Sequence, residues 1–240
     1  MPVKNYRELL FDKNKPLYQN NDSDSLEWIR SHKPIFVPGA DLLRRKEIIS
    51  ILREAKPWKY FNDDFYINKK VAEGIHGRDH AIRVAINLLY IVFENNIQGF
   101  NVQDLIYCAL LHDCSRCNDN KDEGHGRRSS VIARKYFNRI NIVDREAILS
   151  AIAWHDSGSE LAKSSEEYQN NKLICDLLRT ADSLDRFRFP RDDWWINESF
   201  LDIIPSSESK NFSFDLCINC EESTLVKGFF DYDNYFQSIN

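Results

Sequence analysis

The sequence lacks any apolar stretch approaching the ~20 residues that a membrane helix needs, although 42% of its 240 residues are hydrophobic. Glycine (8) and proline (7) are scarce, which excludes collagen-like and low-complexity chains and leaves an ordinary globular composition. Behind the opening MPVKNYRELLFDKNK there is no apolar run with a small-residue cleavage site. The start therefore does not read as a signal peptide, and the expected compartment is the cytoplasm. A basic surplus is missing as well: 32 Lys and Arg stand against 37 Asp and Glu, a formal charge of −5. That balance argues against a protein that grips nucleic acid by its phosphates, but leaves room for a local basic pocket around a small phosphorylated ligand.

Six cysteines are present, with CxxC spacing at Cys114–Cys117 and Cys217–Cys220. Four such thiols could form a zinc site. No flanking glycine or hairpin signal accompanies them, so they read as reduced thiols, buried or incidental.

What is there in quantity is helical periodicity, and the expected fold is an all-α helical bundle. Residues 1–70 read as an N-terminal helical and irregular segment packed on the core. It carries Pro16, Pro34 and Pro38, a helical hint at Leu26–Arg30, and a helix after Asp41 with Ile48, Ile51, Leu52 and Ala55 on one face. Pro57 ends that helix, and Trp58–Lys70 is aromatic and irregular. Residues 71–191 form the core. Ala81, Val84, Ala85, Leu88, Leu89 and Val92 make the first stripe, and Leu105, Ile106, Ala109 and Leu110 the next, after the N-cap Asn101. A third helix is expected from about Arg127 to Asn138, and a fourth carries Val143, Ala147, Ile148, Ala151 and Ile152. A fifth opens at Ser164, with Glu167 as its capping-box partner, and carries Leu173, Ile174, Leu177, Leu178 and Ala181. Residues 192–240 read as a C-terminal appendage of the same domain, where the alternation of Phe212, Phe214, Leu216 and Ile218 suggests a short strand or hairpin.

The histidines are placed against these helices in a repeated way. His80 lies one turn before Val84, His112 and Asp113 close the second helix, His155 continues Ile148, Ala151 and Ile152, and Asp182 extends Leu178. His125 stands just before the third helix, between Gly124 and Gly126. Residues one turn apart share a face, so four helices and a loop each offer an imidazole or carboxylate to a common core. Burying unpaired carboxylates costs several kcal/mol or more. A cation offsets that cost, and mixed His and carboxylate ligands suit Zn, Mn, Fe or similar ions.

The order H…HD…H…H…D, with the strings HGRDHAIRV (76–84), ALLHDCSR (109–116), GHGRRSSVIA (124–133), AIAWHDS (151–157) and TADSLDR (180–186), resembles the HD-domain superfamily of metal-dependent phosphohydrolases. The resemblance covers about residues 74–190 and is nearest to small stand-alone bacterial members that open HGxxHxxRV. It implies that His80, His112, Asp113 and Asp182 hold one divalent metal. His125 and His155 match the additional histidines of two-metal members, with Asp113 bridging. The ions, one or two per chain, would be Mn, Fe, Mg, Co or Zn. Where many members read HDxGK this chain reads HDCSR, so Arg116 takes the Lys position. Arg suits phosphate binding but not proton donation. Asp113 and Arg116 are thus the expected catalytic residues, and Arg116 and Arg186 the expected substrate contacts. His76 reads as supporting or structural.

The expected activity is cleavage of a phosphoester of a small molecule, a nucleotide in the first instance, by a metal-bound hydroxide. No membrane partner is expected. Two competing readings remain: an HD-type diiron oxygenase, which uses the same ligands, and a non-catalytic nucleotide-binding HD domain. Arg179, Arg186, Arg188 and Arg191 with Trp194 and Trp195 read either as a substrate wall or, for the Trp pair, as a pin for the C-terminal appendage.

Overall fold

The computed structural model describes residues 21–37, 42–190 and 195–239; Pro16, Pro38, Asp41, Arg191 and Trp194 lie outside the described residues. In chain order the helices are α1 Ser23–Ser31, α2 Leu42–Ala55, α3 Lys69–Ala72, α4 Arg78–Glu94, α5 Val102–Leu111 and α6 His125–Tyr136. They continue as α7 Arg145–Trp154, α8 Ser159–Lys163, α9 Glu166–Asn170, α10 Lys172–Leu184, α11 Ser207–Lys227 and α12 Tyr232–Ser238. Among the described residues there is no strand and no helix long and apolar enough to cross a membrane.

The organising element is α4, in which every residue from His80 to Val92 is buried. A helix buried on all sides has to be covered on all sides, and α2, α5, α10 and α11 all pack against it. A second layer pairs α6 with α7, and α7 in turn packs on α5 and α10. The expected caps hold at Asn101, whose side chain accepts hydrogen bonds from the backbone N–H groups of Gln103 and Asp104.

Three expectations are corrected. The helix expected to open at Ser164 is two helices: Ser165 caps α9 by accepting from the Tyr168 N–H, and the chain breaks at Asn171 before α10. Val143 and Leu173, expected on core faces, are exposed, because Val143 precedes the N-cap Asp144 of α7 and Leu173 sits in the first turn of α10. The expected strand or hairpin at 212–218 is the middle of the 21-residue helix α11. Phe212, Leu216 and Cys220 face the main core. Phe214, Cys217 and Ile218 face a second cluster, with Leu26, Trp28, Ile29, Phe187 and Trp195. A helix buried on two opposite faces shows apolar residues at nearly every other position, which mimics a strand.

Trp195 belongs to that second cluster, and its indole N–H donates to the Phe189 carbonyl at 2.8 Å. Cys117 is exposed and the other five cysteines are buried and free. No group of cysteines gathers around a candidate metal position among the described residues.

Candidate metal centre

His80 lies in the first turn of α4, just after Gly77, where a Cβ would meet the Ala72 carbonyl oxygen at 2.0 Å. Only glycine lets the chain enter α4 that close to α3. His112 ends α5 as its C-cap, with Asp113 next. His155 is the C-cap of α7, and Asp182 is in the last turn of α10. His125, expected in the loop before α6, is instead the first residue of α6. Helix ends from both layers thus converge, and all six residues come together.

Each imidazole is pinned at Nδ1. His80 Nδ1 is 2.8 Å from Asp185 Oδ2, His112 Nδ1 is 2.6 Å from the Ala109 carbonyl oxygen, and His155 Nδ1 is 2.8 Å from that of Ile152. His125 Nδ1 is 2.6 Å from the Asp122 carbonyl oxygen. A carbonyl or carboxylate can only accept, so these contacts assign the proton to Nδ1 and leave the Nε2 lone pair free. The free nitrogens then face one another. His80 and His112 are 3.1 Å apart at Nε2, and His125 and His155 are 3.0 Å apart.

Between the two pairs lies Asp113. Its Oδ2 is 3.6 Å from His80 Nε2 and 3.7 Å from His112 Nε2. Its Oδ1 is 2.9 Å from His125 Nε2 and 3.4 Å from His155 Nε2. Asp182 Oδ1 closes the first group, at 3.4 Å from His80 and 3.9 Å from His112. Ligands bound at about 2.1 Å to one ion lie about 3.0–3.4 Å from each other, close to these spacings. Asp113 Oδ1 is buried without a hydrogen-bond donor. Lone pairs apposed at such distances repel unless a positive charge lies among them, so the donor set fits a divalent cation in each group.

The electrostatics agree. Burial drives the His112 pKa from 6.5 down to about 3, which keeps its imidazole neutral and able to ligate. Burial opposes the charge on Asp113 too, but the surrounding imidazoles, His112 foremost and then His125, His155 and His80, hold its pKa well below the carboxylate range. For His155 burial also acts against charge. The negative charge of Asp113 beside it outweighs that burial and raises the pKa.

The centre opens into a cavity of about 440 Å³ lined by Asp113, His125, His155 and Asp182 together with Arg116, Arg186 and Arg188. Arg116 Nη1 is 3.2 Å from His125 Nε2 and 3.8 Å from Asp113 Oδ2, and its Nη2 donates to the Asn120 carbonyl at 2.7 Å. Arg186 is exposed on the rim. His76 lines the same cavity, its Nδ1 3.0 Å from Asp119 Oδ1, with burial lowering its pKa to about 4. Sequence reasoning missed Asp119, Asp185 and Arg83. The last two were within reach, since Asp185 is one turn beyond Asp182 and Arg83 one turn beyond His80.

Gly126 permits the α6–α7 approach that brings His125 to His155. A Cβ there would meet the Ile152 carbonyl oxygen at 2.7 Å, Asp156 Oδ1 at 2.8 Å and His155 Nδ1 at 3.0 Å. Gly126→Ala should therefore destabilise the protein by about 1–3 kcal/mol and weaken binding at the His125–His155 pair, read by denaturant titration and metal titration. Unchanged values for both would refute the close-approach argument.

Residues 77–187 match the HD domain family. The chain carries an HD domain. HD domains are in general divalent-metal-dependent phosphohydrolases of small phosphorylated substrates, and the buried groups His80–His112–Asp113 and Asp113–His125–His155 are able to hold such ions. No curated protein and no solved structure matched the chain.

Proposed function

We propose that this HD domain is a cytoplasmic two-metal phosphohydrolase that cleaves a phosphoester of a small molecule, a nucleotide in the first instance. His80, His112, Asp113 and Asp182 hold one ion, and Asp113, His125 and His155 the other. The observation that carries this reading is the pair of Nε2···Nε2 contacts, 3.1 and 3.0 Å, on either side of one shared carboxylate. Bound divalent ions lower the pKa of water toward neutrality and offset charge developing on phosphoryl oxygens.

The chain's own residues supply the rest. Asp113 sets the separation of the two groups through its two oxygens. Arg116, held by the Asn118 and Asn120 carbonyls at 3.4 and 2.7 Å, presents a fixed positive charge beside Asp113, where a phosphate oxygen can take it as a hydrogen-bond donor. Asp182 is one-third exposed where its partners are nearly fully buried, which marks the side open to substrate. Arg186 on the rim suits a second phosphate oxygen, and Phe189 in the same wall offers an apolar face to a sugar or base.

The test is metal analysis of the purified protein with a phosphomonoester and phosphodiester screen in Mn, Mg, Co and Fe. Two ions per chain and hydrolysis that persists without oxygen are expected. His155→Ala should fall to one ion per chain with loss of most activity. Turnover that requires oxygen, or a loaded protein that hydrolyses nothing in the screen, would sink the proposal.

A further inference from the structure

The first metal group is backed by a chain of buried charges that reaches α11. His80 Nδ1 donates to Asp185 Oδ2 at 2.8 Å. Arg83 grips the same carboxylate with two hydrogen bonds, Nε to Oδ1 at 2.6 Å and Nη2 to Oδ2 at 3.0 Å. Arg188 Nη1 adds a contact to Oδ2 at 3.2 Å and one to the Asp185 carbonyl at 2.8 Å. Behind them, Arg83 Nη2 pairs with Glu221 Oε1 of α11 at 2.9 Å, and Arg83 Nη1 donates to Cys220 Sγ at 3.1 Å. His80, Arg83, Asp185 and Arg188 are all buried.

A bare ion pair would be a poor reason to bury these groups, because replacing it with apolar residues is often neutral or stabilising. The carboxylate is aimed at a metal-facing imidazole, however. A carboxylate bonded to the far nitrogen of such an imidazole fixes its tautomer and raises its basicity. We infer that Asp185 is the positioning residue for His80, that Arg83 fixes Asp185, and that Glu221 makes α11 a working part of the metal centre. The inference rests on the metal-binding reading above. Residues 192–240 acquire a role through it: α11 holds the far end of the relay Glu221–Arg83–Asp185–His80.

The donors explain why the carboxylate is needed. Asp185 accepts from four of them: His80 Nδ1, Arg83 Nε, Arg83 Nη2 and Arg188 Nη1. An amide in its place has one acceptor oxygen and brings two more donors. The His80 proton then loses its assured partner and populates Nε2, the atom that has to bind the ion.

Asp185→Asn, Arg83→Lys and Glu221→Gln in the full chain test this. The first readout is the imidazole nitrogen NMR of His80 in metal-free protein. Wild type should show the Nδ1–H form, and Asp185→Asn a mixture. The second is competition of Zn with a chelator of known affinity, in which the His80 group should weaken about 10–100-fold in Asp185→Asn and less in Glu221→Gln, with the His125–His155 group retained. A merely structural ion pair would shift the melting temperature and leave the tautomer alone. Wild-type tautomer and Zn affinity in folded Asp185→Asn overturn the inference. If that variant does not fold, wild-type affinity in both Arg83→Lys and Glu221→Gln overturns it. A wild-type chain that binds no Zn refutes the proposed function, while the tautomer still decides the relay.

Discussion

Asp113→Ala should empty both metal groups at once and lower hydrolysis by about a thousandfold, several kcal/mol of barrier. Its two oxygens serve different halves of the centre, Oδ2 toward His80 and His112 and Oδ1 toward His125 and His155. Removing any one histidine takes a ligand from one group, whereas removing Asp113 takes one from each. It also withdraws the negative charge that would offset two cations held close together in a buried site, where unbalanced charge is costly. The variant should still fold, because in the metal-free protein the imidazoles keep their Nδ1 partners in the Ala109, Asp122 and Ile152 carbonyls and in Asp185. Metal content by elemental analysis, alongside circular dichroism, checks this. A folded Asp113→Ala protein that retains two ions per chain would refute the bridging role.

Much of the centre was legible in the sequence because five of its six candidate ligands, all but His125, sit within a turn of apolar stripes. His155 follows Ile148, Ala151 and Ile152, and Asp182 follows Leu178, so the face that meets the core also meets the candidate metal position. The supporting residues were harder to read. Asp185 lies 105 positions from His80, and a long-range contact of this kind leaves no periodic trace. What does remain is the helical offset of three, from His80 to Arg83 and from Asp182 to Asp185. Periodicity failed at α11 for a different reason. A stripe reports one buried face, and α11 has two, one against α4 and one against α1 and the turn at Asp185–Arg188. Loop chemistry misled at His125, where flanking glycines suggested a loop. Gly124 is left-handed at φ +72° and turns the chain into α6, and Gly126 makes room for α7.

The placement of α11 carries the second large effect. Phe212 is 1% exposed and stacks on Tyr90 of α4, with ring centroids 4.4 Å apart and planes at 20°. Beside it Ser213 Oγ donates to the Asn87 side chain at 2.8 Å, so α11 is bonded to α4 as well as packed on it. Truncating such a ring removes its burial and leaves a cavity in a close-packed interior. Phe212→Ala should therefore cost about 3–5 kcal/mol, read as a lower urea midpoint in metal-free protein. Val226→Ala, further along the same helix where the side chain is 80% exposed, should change stability by less than about 0.5 kcal/mol. The comparison bears on more than packing. If residues 192–240 were an independent appendage, Phe212→Ala would leave the main unfolding transition in place and add a separate early one. If α11 completes the cover over α4, the whole transition moves as one. Loosened α11 would also release Glu221 from Arg83, so the Zn affinity of the His80 group should fall in Phe212→Ala even under conditions where the protein remains folded.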